Sequence, residues 1–199
     1  MTDGDESDEP VIEMRNISKR FGRVVALDGV DFEVRQNEIM GLVGNNGSGK
    51  STLMKVLVGF NDTAAGEIYT RGNRVSVRNP GDIREFGVAT VYQDLALVDE
   101  LSVAANIFLA RAPKQRIAGV PIVDWSKMNR EASRILRERL NVDLGAMDQP
   151  VEFLSGGERQ AIAIARALAT DPDIIILDEP TSNLSPNSAE LVVELVKTL

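Results

Sequence analysis

The residues GNNGSGKST at positions 44 to 52 combine closely spaced glycines with a lysine and two hydroxyl side chains. They match G-x-x-x-x-G-K-[ST], a pattern in which glycines let backbone N–H groups converge on phosphate oxygens at a helix N-terminus. The lysine then meets the β- and γ-phosphates, and the serine offers its hydroxyl to Mg²⁺. The alternative is a glycine-rich turn before an ordinary helix, but the pattern rarely arises by chance in a chain of this length. We expect phosphate contacts from Gly44, Asn45, Asn46, Gly47, Ser48, Gly49, Lys50, Ser51 and Thr52.

Two acids, Asp178 and Glu179, directly follow the apolar run 174–177. In open parallel sheets ligands sit at the carboxyl ends of strands. This places both acids where the glycine-rich loop of residues 44–52, here called the phosphate loop, also points. Asp178 suits a hold on Mg²⁺, and Glu179 suits a base that positions water for attack on a γ-phosphate. A helix cap or a plain surface turn is the structural alternative.

A third motif, LSGGERQ, occupies residues 154 to 160. Ser155 and Glu158 fit the capping box S-x-x-E at the start of an apolar helix, which fully explains those two residues. Gly156 and Gly157 remain unexplained, because each glycine in a helix costs about 1 kcal/mol relative to alanine. Something must approach the backbone closely there, and a second anion at this helix N-terminus is one candidate.

Composition limits the available chemistry. The 199-residue chain has no cysteine and no histidine, which excludes thiol nucleophiles, disulfides, Cys/His zinc sites and imidazole bases. Its net charge is −8, with five acids and no base in residues 1–10, and the remaining body is only mildly acidic. A nucleic-acid partner is therefore not expected. We interpret residues 1–10 as a solvated, disordered tail.

The elements that position these motifs follow from hydrophobic patterning. Strands are predicted at 11–17, 30–35, 38–43, 88–92 and 174–177, with a β-hairpin around Gly72 and Asn73. A helix follows the phosphate loop with Gly59 at its end, and further helices are expected over 155–169 and from Pro186.

The segment from about residue 94 to 150 has a different character. Ser102 can cap a helix, and an apolar stripe at helical spacing follows, formed by Met128, Ala132, Ile135, Leu136 and Leu140. We interpret this segment as a helical insertion. The last helix keeps its apolar period up to Leu199 without a cap, so a truncated chain is expected.

The three motifs, in this order, resemble the nucleotide-binding domain of an ATP-binding cassette (ABC) transporter: Walker A at GNNGSGKST, the signature at LSGGERQ and Walker B at IIILDEP. The resemblance covers residues 11–199. It implies an α/β fold with a P-loop NTPase core, a RecA-like parallel sheet with an antiparallel β edge, and a helical subdomain. The core would comprise 11–93 and 155–199, the subdomain about 94–154, and the C-terminal part would be missing.

Further roles are implied by the resemblance. Gln93 stands where the family has its Q-loop glutamine, which touches Mg²⁺ or the attacking water and faces the membrane partner; a polar strand-end residue is the alternative. Phe21 stands where an aromatic ring stacks on adenine, although a strand-end phenylalanine is often part of a core. Ser155, Gly156 and Gly157 would contact a nucleotide held by a second cassette. The implied catalytic residues are Glu179, Gln93 and Lys50, and the implied Mg²⁺ ligands are Ser51, Gln93 and Asp178.

Two departures from the family pattern bear on turnover. The D-loop usually reads S-A-L-D, whereas this chain has Ser182, Asn183, Leu184 and Ser185, which lacks the carboxylate. The family also has a switch histidine after the next strand, and the chain ends before that point. The resemblance therefore leaves hydrolysis by these 199 residues open.

Residues 93–111 and 123–136 resemble importers of simple sugars of the ribose or galactose type. This implies an ATPase subunit that uses ATP and Mg²⁺ to power import of a small solute at the cytoplasmic face of the membrane. Its partners would be permease subunits, a second cassette (a homodimer, a heterodimer or a tandem domain) and, indirectly, a solute-binding protein. Any membrane contact would pass through a partner. A soluble family member acting on ribosomes or DNA, and a nucleotide-binding module without turnover, are the alternatives.

Overall fold

The computed structural model describes residues 9–182 and 184–199, which form two compact units divided between Phe86 and Gly87. Most of the expected acidic tail, residues 1–8, lies outside the described residues, and Pro10 already belongs to the first strand. The first unit contains β1 (Pro10–Phe21), β2 (Val24–Arg35), α1 (Lys50–Leu57), β3 (Ala65–Thr70), β4 (Asn73–Val75) and α2 (Pro80–Glu85).

An antiparallel sheet with the order β2-β1-β3-β4 forms the centre of the first unit. Alternate residues of β1 point to opposite faces, so Ile12 and Met14 are fully buried while Arg15 is exposed. The predicted strands at 11–17 and 30–35 are confirmed, and both extend further than expected. The hairpin around Gly72 is also confirmed, because β3 and β4 pair through Thr70 and Asn73.

The strand predicted at 38–43 is wrong, since these residues have no regular secondary structure. Ile39 is 71% exposed and Val43 is 88% exposed, the opposite of a buried strand. A short apolar run is only compatible with a strand, and pairing with neighbouring strands decides whether one forms. In the described part of the first unit, the ladder β2-β1-β3-β4 does not include this segment.

The second unit begins with β5 (Val88–Val91), which pairs in parallel with β8 (Ile174–Leu177). Both strands were predicted. Between them the chain forms α3 (Val103–Ile107), β6 (Lys114–Ile117), β7 (Val120–Val123), α4 (Trp125–Arg134) and α5 (Gly156–Leu168), with a π-helical turn at Ile135–Arg139 and a 3₁₀ turn at Val151–Phe153. The last element, α6, spans Pro186–Thr198.

The core of the second unit lies among its helices. The predicted apolar stripe of α4 and the following turn is confirmed, because all five of its residues are buried together with Ile162 and Ile164 of α5. Helix starts follow the predicted caps. The hydroxyl oxygen of Ser102 accepts from the N–H of Ala105 at 3.2 Å, and Ser155 and Glu158 form the expected capping box.

The insertion is not wholly helical, because β6 and β7 form an antiparallel hairpin within it. The predicted helical insertion is borne out by α3 and α4, and the hairpin within it was not predicted. Residues 114–123 have neither a helical apolar period nor a buried face, so the patterning did not indicate the hairpin. In the described residues, no helix combines the length and hydropathy needed to cross a bilayer.

Candidate functional site

The phosphate loop of the first unit runs without regular structure into α1, whose first residue is Lys50. Gly47 and Gly49 have φ angles of 84° and 95°, in the left-handed region that favours glycine. A Cβ atom on Gly49 would lie 2.7 Å from the carbonyl oxygen of Ala26 in β2. Glycine is therefore required at position 49 both by its backbone conformation and by the close approach of the sheet.

Lys50 closes this loop. Its ammonium group donates to the carbonyl oxygens of Gly44 at 2.7 Å and Asn45 at 3.0 Å, and the N–H of Ser48 donates to Asn45 at 3.1 Å. The first N–H groups of α1 have no partner within the helix, so they are available to an anion beside the lysine. The hydroxyl of Ser51 lies in this exposed first turn. The loop thus has the charge and the donors that a phosphate group requires.

Phe21 ends β1 and is 48% exposed, so it does not belong to the core of the first unit. The ammonium group of the largely buried Lys19 lies 5.2 Å from the ring centroid and 2.6 Å from a carboxylate oxygen of Asp62. Its hydrogen bond and charge hold the pKa of Asp62 below its ordinary value. Its exposure leaves Phe21 accessible to a planar group such as the adenine that the family resemblance implies.

In the second unit the carboxyl ends of β5 and β8 lie side by side. Val91 pairs with Leu177, and the N–H of Asp178 donates to the carbonyl oxygen of Val91 at 2.9 Å. Gln93 is exposed two residues beyond Val91, and Glu179 is exposed next to the half-buried Asp178. The structure therefore brings these three predicted site residues to one edge of the parallel pair.

Glu179 has an unusual backbone. Its φ angle is 46°, in the left-handed region, where a non-glycine residue is destabilised by roughly 1–2 kcal/mol. The N–H and hydroxyl of Ser182 both donate to its carbonyl oxygen, at 3.0 Å and 2.9 Å, which fixes the turn. Eight other described non-glycine residues, Asp171 among them, also have a positive φ angle, so the backbone alone does not mark Glu179 as a site residue.

The glycines of the LSGGERQ motif now have a packing explanation that the sequence could not supply. Gly157 is buried, and a Cβ there would meet the side chains of Leu191 and Ser188 of α6 at 3.2 Å. Gly156 is exposed, and a Cβ there would lie 2.9 Å from the flexible end of Leu184. The close approach at Gly157 is thus made by helix α6, which leaves only Ser155 and Gly156 on the exposed face.

Replacing Gly157 by alanine is expected to lower the free energy of unfolding, because overpacking of the contact between α5 and α6, at about 1–3 kcal/mol, exceeds the roughly 1 kcal/mol that alanine gains over glycine in a helix. Gly156→Ala is the matched control and should be the more stable of the two variants, since it has the same helix preference but only the end of Leu184 must move. Urea unfolding of both variants measures the difference. Equal stability of the two variants would contradict the packing explanation.

The turn that follows Glu179 corresponds to the predicted D-loop. Its Asn183 lies outside the described residues. Ser185 caps α6 as expected, since its hydroxyl oxygen accepts from the N–H of Ser188 at 3.3 Å.

Sequence reasoning missed a buried polar network that fixes the segment after Gln93. Asn106 is fully buried and its amide nitrogen donates to the carbonyl oxygens of Val98, Leu101 and Ser102, at 2.9, 3.1 and 3.1 Å. Arg166 of α5 donates to the carbonyl oxygen of Asn106 at 2.9 Å. Desolvation lowers the pKa of this arginine, and the charge of Arg111 adds to the effect. A lone asparagine in an apolar stretch was the available signal.

Comparison with known proteins decides the family. Residues 27–182 match the profile of the family described as ABC transporter. The chain belongs to the ABC transporter family. The resemblance found in its three motifs is confirmed, and so is the combination of a P-loop NTPase fold with an antiparallel and a parallel sheet.

Several curated relatives are similar to this ABC protein over most of its length. The ribose import ATP-binding protein RbsA of Caldanaerobacter subterraneus is 41% identical over 96% of this chain, which spans only 38% of that relative. The xylose/arabinose import ATP-binding protein XylG of Sulfolobus acidocaldarius is 40% identical over 95% of this chain and 73% of its own length. The fructose import ATP-binding protein FrcA of Rhizobium meliloti is 40% identical over 94% of this chain and 74% of its own length.

Solved structures of ABC cassettes share the fold. The ADP conformation of MJ1267, an ATP-binding cassette of an ABC transporter, has a TM-score of 0.79 at 27% identity, with 95% of this chain and 76% of that chain covered. A dimeric post-hydrolysis state of the cassette MJ0796, bound to ADP and Pi, has a TM-score of 0.72 at 26% identity. The match covers 94% of this chain and 82% of that chain.

Proposed function

We propose that this ABC protein binds ATP with Mg²⁺ and couples ATP hydrolysis to the import of a small solute, with a sugar as the favoured class. The observation that supports nucleotide binding is the glycine loop closed by the ammonium group of Lys50 at the start of α1. The sugar class is supported by the names of its relatives, which are import ATP-binding proteins for ribose, xylose/arabinose and fructose.

The oxygen donors proposed for Mg²⁺ are the hydroxyl of Ser51, the amide of Gln93 and the carboxylate of Asp178. They fit this ion, because Mg²⁺ prefers hard oxygen ligands and keeps several waters. When bound, Mg²⁺ would neutralise charge on the phosphates. Glu179 would orient the attacking water and accept its proton, while Lys50 and the first N–H groups of α1 would stabilise phosphate charge.

The proposed partners follow from the family and from the exposed face of the signature. Ser155 and Gly156 are exposed, so they are accessible to a nucleotide held by a second cassette, as a homodimer, a heterodimer or a tandem domain. The dimeric neighbour bound to ADP and Pi supports such an arrangement. Permease subunits would place the protein at the cytoplasmic face of a membrane, and a solute-binding protein would act through them.

Lys50→Ala is expected to reduce ATP affinity at least tenfold, because it removes a charge-assisted contact worth about 1.5–3 kcal/mol. Calorimetric titration with Mg-ATP measures the effect. The matched control is Lys55→Ala, which removes an exposed lysine from the same helix and should leave affinity unchanged. Equal affinity of the Lys50→Ala variant and the parent protein would remove nucleotide binding from this loop.

The transport role needs a separate measurement. We expect the protein, in its full natural length, to co-purify with permease subunits and to support ATP-dependent uptake of a labelled sugar. Isolation with ribosomes or DNA in place of a permease would favour the soluble class of family members.

A further inference from the structure

The hairpin formed by β6 and β7 ends in an exposed apolar segment. Residues 117–122, with the sequence IAGVPI, form this hairpin tip, and all six are exposed. Ile117 is 55% exposed and Val120 is 59% exposed. Isolated two-stranded hairpins are marginally stable in water, and contiguous exposed apolar surface marks an interaction site. The hairpin tip therefore lacks an apolar partner within the described residues.

Basic residues lie in β6 and in α4, before and after the hairpin tip in the sequence. The N–H of Asp124 donates to the carbonyl oxygen of Pro113 at 2.8 Å, which joins the hairpin base to the start of α4. The basic collar consists of Lys114, Arg116, Lys127 and Arg130, all of them exposed. Residues 111–130 contain five basic residues and a single acid, in a chain whose net charge is −8.

The collar is not neutralised by nearby carboxylates. Within residues 9–182 and 184–199, Lys114, Arg116 and Lys127 form no ion pair, and Arg130 donates to the neutral hydroxyl of Ser126 at 2.6 Å. The acid of this region, Asp124, accepts the N–H of Lys127 at 2.8 Å as the helix cap. The collar is therefore free to bind anions at the surface.

The protein's one tryptophan lies in the same place. Trp125 is the first residue of α4 and is 60% exposed. Tryptophan is enriched where an apolar phase meets water, because its ring is apolar and its N–H is polar. Tip, collar and tryptophan thus combine an apolar end, four exposed basic residues and an interfacial side chain within one short segment.

We propose that the hairpin tip inserts into the surface of a bilayer rich in anionic lipids, with the basic collar on the lipid phosphates and Trp125 at the interface. An exposed apolar tip with basic residues that form no ion pair suits a deformable anionic surface, which supplies apolar chains and phosphates together. The acidic residues elsewhere in the chain repel anionic lipids only weakly, because charges more than about 8 Å apart are screened at physiological salt. Direct lipid contact differs from the sequence-based expectation that a partner would make every membrane contact.

The first experiment uses Trp125 as the probe, in the absence of nucleotide and permease. Vesicles of phosphatidylcholine mixed with phosphatidylglycerol should shift its emission to shorter wavelength, and brominated lipid should quench it. Co-sedimentation should show at least tenfold stronger partition than with phosphatidylcholine alone, and added salt should weaken it. Absence of the shift and of anionic preference would overturn the proposal. That result would leave nucleotide binding untouched, since the assay contains no nucleotide.

Variants separate the collar from the tip. Replacing Lys114 and Arg116 together by glutamine should weaken partition about thirtyfold, because each basic residue near an anionic surface strengthens partition roughly fivefold. The matched control removes two exposed charges elsewhere, Arg23 and Lys55, and should leave the anionic preference intact. Equal losses in the two variants would mean that total charge, and not the collar, drives binding, which would overturn the proposal.

For the tip, Ile117→Ser with Val120→Ser should weaken partition about tenfold or more. The control is Val24→Ser with Val25→Ser, which changes two valines of similar exposure, 66% and 44%, in the first unit. If Trp125 responds only to a detergent-solubilised permease without lipid, the surface binds a protein and the lipid proposal is wrong.

Discussion

Replacing Glu179 by glutamine should lower ATP turnover by roughly 10²- to 10⁴-fold while leaving ATP affinity near that of the parent protein. The amide keeps the size of the side chain but cannot accept the proton of an attacking water. Glu179 follows β8 at the edge shared with Gln93 and has a φ angle of 46°. Phosphate release, measured in the full-length protein with its partners, gives the turnover, and calorimetry gives the affinity.

The matched control is Glu190→Gln, which makes the same chemical change at an exposed position of α6. Turnover of this variant should equal that of the parent. The Glu179→Gln variant should also accumulate as an ATP-bound dimer, which size-exclusion chromatography detects. Unchanged turnover in Glu179→Gln would remove this carboxylate from the catalytic residues and leave Gln93 as the candidate for orienting water.

The second large effect is expected on stability. Asn106→Leu should lower the free energy of unfolding by about 3 kcal/mol, because leucine keeps the volume but makes no hydrogen bond. The N–H of Val98, which donates to the Asn106 side chain at 2.9 Å, would lose its acceptor, and three carbonyl oxygens would each lose one of their two donors. Urea unfolding measures the change.

Asn187→Leu serves as the control, since Asn187 is exposed near the start of α6 and should change stability by less than about 0.5 kcal/mol. Amide hydrogen exchange adds a local measurement. In Asn106→Leu, the N–H of Val98 should exchange faster than in the parent, while amides of the first unit should not change. A stability loss without faster exchange at Val98 would place the effect elsewhere than in this network.

The features that depend on short stretches of sequence were predictable. The phosphate loop was found because its glycines, lysine and serine lie within nine residues and act through local backbone geometry. The caps at Ser102, Ser155 and Ser185 were found for the same reason, since a cap bonds an N–H only three residues ahead. The roles of Glu179, Gln93 and Phe21 remain predictions.

Features that depend on distant residues were decided only by tertiary structure. Residues 38–43 have the apolar pattern of a buried strand, but strand formation depends on pairing, and the segment is irregular and exposed. Gly157 is required by α6, which begins some thirty residues later in the chain. Asn106 is held by contacts that include Arg166, sixty residues away in sequence. A sequence records which groups are present, whereas their burial and their partners arise when distant segments pack together.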